Sequence, residues 1–221
     1  MYRKILLLTL VFVLIFTLTA HAQDRNNLHS DSADLQAWKN YMLQFNVDEE
    51  TQAALLQKIN SGELLDSQKP EMLSQIPKDY FAMDVSKETS KVKIYYFPDG
   101  SFVYQKFSPL NDDFSIQYET KKKYKVEGGN AVTKASFYAD LTLATHHLEI
   151  SSIDRVYDYS ITMLLYDYED EDLQVIDKYQ TVTEPAYARL RFKIIYPIKK
   201  STAFLKLYVR STIISSEFEI D

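Results

Sequence analysis

Asp167, Glu169, Asp170, Glu171 and Asp172 are the densest run of charge in the chain. Carboxylate and carbonyl oxygens crowded in a loop between strands are what a hard cation such as Ca²⁺ takes as ligands. The run lacks the glycine-punctuated spacing of a calcium loop, and a solvated hairpin tip calls for the same residues. The tip is the commoner arrangement, so the sequence predicts an acidic turn and leaves calcium at residues 167–172 open. His146 and His147 are adjacent, so on a strand they point to opposite faces and cannot share one metal. His29 falls in a polar leader, and no HExxH or HxH spacing exists, so no zinc site is expected. The chain has no cysteine, which removes thiol catalysis, cysteine-ligated zinc and disulfide scaffolding together. No GxSxG elbow marks a nucleophilic serine. Of the four glycines only Gly128 and Gly129 cluster, so no phosphate-cradling loop is present. Asp66 and Asp140 could serve as acid and base in a hydrolase. With 31 acidic residues in the chain, however, two carboxylates select nothing. No catalytic, cofactor-binding or metal-ligating residue is assigned, and no cofactor is expected.

The aromatic residues are more suggestive, with 17 Tyr and 12 Phe. Tyr157, Tyr159, Tyr166 and Tyr168 crowd around the acidic run, and Tyr95 and Tyr96 stand beside a turn. Tyrosine surfaces recognise sugars and proteins because the ring buries apolar area while the hydroxyl stays wet. Tyrosine is also a good strand residue, and propensity alone would enrich it here. Arg189, Arg191 and Lys193, with Lys121, Lys122 and Lys123, form basic islands in an acidic protein. They could meet an anionic wall polymer, but more often such residues are solvated strand faces that guard edges.

The elements that must position these groups divide at about residue 91. From Ala33 the apolar residues Leu35, Trp38, Met42 and Phe45 fall on one helical face, with Ser32 a candidate cap and Asn46 the end. Asp48 suits the N-cap of a second helix, with Glu49 and Glu50 against its dipole and Val47 as staple. Leu55, Leu56 and Ile59 give its buried face, and Gly62 a left-handed stop. This hairpin is too narrow to form a core alone. Pro70 and Pro77 mark the following loop.

Beyond Lys91 the period becomes two. Pro98-Asp99-Gly100 joins two strands as a tight turn. Gly128-Gly129-Asn130 should separate the strand around Tyr124 from the next. Alternation is clearest from Ala135 to Leu143, from Ala186 to Ile194 and from Ala203 to Val209. Residues 156–166 and 173–182 complete the set as strands joined by the acidic turn. One-sided alternation is the mark of antiparallel sheets with one wet face. About 7–9 strands at this spacing predict a β-sandwich. The fold expected is β-dominated, α+β overall: an N-terminal helical hairpin packed on an antiparallel β-sandwich.

Three stretches carry a family resemblance. They are Val47-Asp48-Glu49-Glu50-Thr51-Gln52 leading to Gly62-Glu63-Leu64-Leu65-Asp66-Ser67-Gln68-Lys69-Pro70-Glu71, then Tyr96-Phe97-Pro98-Asp99-Gly100-Ser101, then Ser136-Phe137-Tyr138-Ala139-Asp140-Leu141-Thr142. Together they resemble an uncharacterised family of secreted proteins from Gram-positive bacteria, in which a helical GExxDSxxPE segment precedes a YPDGS hairpin and a β-rich domain. Phe97 stands where the turn motif has Tyr, and Leu65 where an aromatic is common. The resemblance implies the architecture and an exported location; it brings no activity and no site residues. Physically, Asp66 and Ser67 can cap a turn or bond the loop backbone that Pro70 leaves short of donors, clipping the hairpin to the sheet.

Arg3 and Lys4, an apolar run from Ile5 to Leu18, and Ala20-His21-Ala22 form the three parts of a secretory signal peptide. Cleavage after Ala22 takes 22 of the 221 residues and leaves 199, enough for one well-packed domain. It takes two basic residues and no acidic one, so the net charge moves from −6 to −8. An anionic surface repels phosphate backbones and anionic lipid, so no nucleic-acid or membrane-surface partner is expected. No lipobox cysteine or LPxTG-like signal is present, and no transmembrane anchor is expected after cleavage. The organisation expected is signal peptide 1–22, flexible leader 23–32, helical hairpin and connecting loop 33–90, and β-sandwich 91–221. These readings favour an exported, extracellular, non-enzymatic binding protein whose partner is an extracellular protein or a cell-wall or host glycan. The alternatives are an extracellular hydrolase using carboxylates on polysaccharide or peptide, and a secreted toxin or inhibitor.

Overall fold

The computed structural model describes residues 32–116, 119–144, 150–197 and 199–221. The signal segment, the leader with His29, and the pair His146–His147 lie outside the described residues, save Ser32. Helix α1 (Ser32–Gln44) and helix α2 (Glu49–Asn60) form a hairpin. Asn46 makes its corner with φ +55°. The Asp48 carboxylate accepts from the Thr51 amide at 2.7 Å, capping α2. Gly62, at φ +79°, ends that helix as the Glu63 amide reaches back to the Lys58 carbonyl at 2.9 Å. A 3₁₀ turn (Asp66–Gln68) and a single helical turn α3 (Pro70–Leu73) follow.

The rest is two antiparallel five-stranded sheets. The first runs in chain order: β2 (Lys91–Tyr96), β3 (Phe102–Ile116), β4 (Glu119–Asn130), β5 (Thr133–Ala144) and β6 (Ser152–Met163). The second has the order β1 (Met83–Asp84), β10 (Ile213–Ile220), β9 (Lys200–Arg210), β8 (Ala186–Ile195) and β7 (Asp167–Asp177). From β2 to β10 the chain is one meander that changes sheet once, between β6 and β7. Sheet-closing bonds stitch that side, with the Ile153 amide on the Lys178 carbonyl and the Gln180 amide on Ser151. The expected architecture, a helical hairpin on an antiparallel β-sandwich, is the one present.

Alternation sets the core. Leu190, Phe192, Leu205, Leu207 and Val209 point inward from the second sheet to meet Phe107, Val126, Phe137 and Leu141 from the first. Each such burial stabilises by roughly 1.5–3 kcal/mol. The first sheet is also buried on part of its outer face. Phe102 and Tyr104 project there into the helical hairpin, beside Trp38, Met42 and Leu55. The Trp38 indole donates to the Ala131 carbonyl at 2.9 Å and the Tyr41 hydroxyl to the Asn130 carbonyl at 3.0 Å. Both bonds hold the hairpin against the β4–β5 turn.

Two strand-level expectations are corrected. Gly128, Gly129 and Asn130 lie inside β4, and the turn falls at Ala131-Val132. Glycine is needed at 129 for close approach, since a Cβ would stand 2.0 Å from the Thr133 carbonyl oxygen, whereas at 128 it would press on the side-chain ends of Gln105 and Leu205. The acidic run is not a turn either. It forms the start of β7, and the link from β6 is Leu164-Leu165-Tyr166, too apolar to look like one.

The hairpin is locked by the two sequence motifs meeting. Asp99 Oδ2, in the β2–β3 turn, accepts from the Asp66 amide at 2.9 Å and from Lys58 Nζ at 3.1 Å. Its Oδ1 accepts from the Ser101 amide and hydroxyl at 2.9 and 2.6 Å. Ser101 Oγ accepts in turn from the Ser67 amide at 3.0 Å, and Asn130 Nδ2 donates to the Ser67 carbonyl at 3.0 Å. Burial alone would raise the Asp99 carboxyl, but the donors on it outweigh burial and hold it below the usual carboxylate range.

Gly100 closes this turn at φ +84°, and a Cβ there would lie 2.2 Å from Thr51 Cγ2 of α2. Gly62 has a similar φ with nothing within 4 Å of its would-be Cβ. Gly62→Ala should therefore cost only the backbone strain, about 1 kcal/mol, and Gly100→Ala clearly more. Thr51→Ala in the Gly100→Ala background should recover the difference. Urea unfolding of the four variants at constant m value checks this; equal costs for the two glycine changes would refute the close contact.

Candidate functional site

Strand β1 is two residues long and pairs only with Ile213 and Ile214 of β10. Upstream of it the chain turns away. The Tyr80 amide bonds the Pro77 carbonyl at 2.8 Å and the Ala82 amide bonds Asp79 at 3.1 Å, so the backbone is spent on local turns. Residues 70–82 still plug the open side of the sandwich, because Leu73 and Phe81 enter its core. Tyr80 donates to the Ile94 carbonyl at 2.7 Å, and Lys93 bonds the Tyr80 carbonyl, which fixes the plug to β2. A groove of about 800 Å³ remains between the plug and β10. Such a volume suits a ligand or a peptide segment.

Leu73, Ile76 and Phe81 make one wall, and Phe218 and Ile220 the other. The rim carries Lys78 and Arg210 against Asp79, Glu217, Glu219 and Asp221, so it is net acidic. Lys206 pairs with Glu219 and lies 3.9 Å from Glu217. The Tyr208 hydroxyl reaches Glu217 at 3.3 Å, and burial, followed by that carboxylate, raises it above its usual range. Arg210 is held outward by the Val182 carbonyl at 2.7 Å. The groove is thus apolar inside and acidic at the lip.

The residues singled out from sequence do not converge. Asp66 belongs to the motif clasp and pairs with Lys69 at 2.7 Å. Asp140 lies on the outer face of the first sheet, where Arg155 Nε donates at 2.6 Å and the Tyr157 hydroxyl at 3.1 Å. The two carboxylates sit in separate networks. In β7, Asp170 takes Lys193 at 2.6 Å and Glu169 takes Lys200 at 2.5 Å. Among the described residues no cluster of three or more histidines or carboxylates is placed to hold a metal ion.

The tyrosines are mostly structural. Tyr166 packs edge-on to Tyr196 at 4.9 Å, Tyr95 to Tyr80 at 5.5 Å, and Tyr157 stacks on Tyr138 at 5.7 Å under the Arg155 guanidinium. The Tyr96 hydroxyl bonds the Phe45 carbonyl at 2.8 Å. Tyr159 and Tyr168 are exposed on β6 and β7. In the basic stripe of β8, Lys193 pairs with Asp170 and Arg189 lies over the Phe204 ring at 5.7 Å. A smaller polar hollow of about 190 Å³ on the first sheet is lined by Lys125, Lys134, Tyr138 and Asp158, with one carboxylate. Sequence reasoning missed the β10 groove. Its only signal was Pro70 and Pro77 close before a very short strand.

No family model matches the chain, and no curated protein matches it. Among solved structures it is similar to a hypothetical protein, lmo2686, from Listeria monocytogenes EGD-e. That similarity has a TM-score of 0.37 and 16% identity, over 60% of this chain and 96% of the other. Among the described residues no helix is long and apolar enough to cross a membrane.

The Asp140–Arg155 pair is a surface contact, with Arg155 62% exposed. Asp140→Asn should cost less than about 1 kcal/mol. Asp99→Ala, which strands buried amides, should cost about 2–4 kcal/mol. Equilibrium unfolding of both variants checks the ranking; a reversed order would refute the roles given to the two carboxylates.

Proposed function

We propose that the chain is an exported, non-enzymatic interaction protein, and that the groove beside β10 receives its macromolecular partner. The observation that carries this reading is the groove itself, with apolar walls and an acidic lip. The basic n-region, apolar run and Ala20-His21-Ala22 support export of the protein. The hydrolase alternative needs two carboxylates flanking one bond, and Asp66 and Asp140 occupy separate networks.

The full chain, expressed in a bacterium, should yield an extracellular product beginning at Gln23. Immobilised, that product should retain a specific protein or glycan from extracellular and wall fractions. Ser74→Trp, at an exposed position on the groove wall, should reduce that retention at least tenfold without altering the far-ultraviolet circular dichroism. Retention unchanged in Ser74→Trp, or turnover of wall glycan or peptide that Asp140→Asn abolishes, would overturn the proposal.

A further inference from the structure

The alternation of hydrogen bonds along β10 is fixed at both ends. The Asp221 amide bonds the Thr202 carbonyl of β9, and the Val85 amide bonds the Thr212 carbonyl on the opposite side. In an antiparallel ladder the main-chain groups of successive residues point to alternate sides. Residues 213, 215, 217, 219 and 221 therefore face β9, while Ile214, Ser216, Phe218 and Ile220 face away. Met83 of β1 satisfies Ile214. Among the described residues no strand lies beside Ser216, Phe218 and Ile220, and these three residues line the groove.

We infer that the groove is a strand-addition site: an extended segment of another polypeptide pairs antiparallel with β10, in line with β1. The inference rests on the binding reading above and names the class of partner. The unpaired run of β10, residues 215–220, spans about 20 Å at roughly 3.3 Å per residue, so it takes a segment of about six residues.

Pairing fixes the chemistry of that segment. Residues opposite Ser216, Phe218 and Ile220 share the inner face and meet Leu73, Ile76 and Phe81, so they are apolar. Met83, fully buried opposite Ile214, already follows this rule. Residues opposite Glu217, Glu219 and Asp221 share the outer face with three acidic groups against Lys206 alone, an acidic excess that favours basic residues there. A second copy of β10 would bring its own Glu217 and Glu219 to the same lip, and like charges directly opposite disfavour self-pairing. The occupant is thus an alternating apolar and basic strand of a different protein.

The test uses ¹⁵N-labelled protein purified from expression of the full chain and a seven-residue peptide alternating Lys and Val. Binding should shift the amide signals of Ser216, Phe218 and Ile220 and slow their exchange. The same peptide N-methylated at each Val should bind at least tenfold more weakly, because it lacks the donors that the edge requires. A Glu and Val peptide should also bind at least tenfold more weakly. Equal binding of the N-methylated peptide, signal shifts confined to other residues, or self-association through these amides without peptide would overturn strand addition. If no peptide binds while Ser74→Trp still abolishes partner retention, the groove binds by another mode: strand addition falls and the proposed function stands. If Ser74→Trp changes nothing in retention yet the peptide binds at these amides, the proposed partner site falls and strand addition stands.

Discussion

A single carboxylate, that of Asp99, holds three separate parts of the chain in register. Its two oxygens accept from the amides of Asp66 and Ser101, the Ser101 hydroxyl and the Lys58 ammonium. Ser101 passes the connection to Ser67, and Asn130 completes it from the β4–β5 turn. The helical hairpin cannot bury its narrow apolar stripe alone, so its stability depends on docking to the outer face of β3. Hydrophobic contact of Trp38, Met42 and Leu55 with Phe102 and Tyr104 supplies the driving force, and the polar clasp supplies the position. Since the clasp immediately precedes Pro70, it also aims the plug along the open side of the sandwich. The groove beside β10 is the space left by that path.

Edges decide the rest of the surface. β6 and β7 are adjacent edges stitched together near Ser152 and Tyr179, and each carries a bulge with an aspartate at positive φ, Asp158 at +50° and Asp170 at +57°. Bulges twist an edge away from further pairing. β2 is partly covered by Tyr80. Along β10 neither device is present over residues 215–220; acidic side chains at Glu217 and Glu219 flank the edge instead. An edge guarded by charge and opened onto an apolar groove is selective in a way that a bulged edge is not.

Much of this fold was legible in the sequence, for identifiable reasons. Asp48, Asn46 and Gly62 are local signals with local effects, so the hairpin could be read directly. The strict alternation of β8 and β9 required a sheet with one buried face. Pro98-Asp99-Gly100 announced its turn. The misreadings have physical causes as well. Charge density is usually a sign of turns, but residues 167–172 sit on an edge strand whose lysine neighbours, Lys193 and Lys200, come from β8 and β9. Gly128 and Gly129 looked like punctuation, yet Gly129 serves the close approach of β4 to the Thr133 backbone. The groove was hard to read because its β10 side depends on unpaired backbone, which has no residue type. The pairing of Asp66 with Asp99 joins residues 33 positions apart, a separation at which spacing carries no information.

The motif clasp is part of the cooperative core and not a surface decoration. Native-state hydrogen exchange of the Asp66 and Ser67 amides tests it most directly, since each has a side-chain acceptor as its partner. Protection matching that of the central β4 amides is the result expected if hairpin and sandwich open together. Exchange of those two amides at the rate of exposed loops, with β4 still protected, would contradict it.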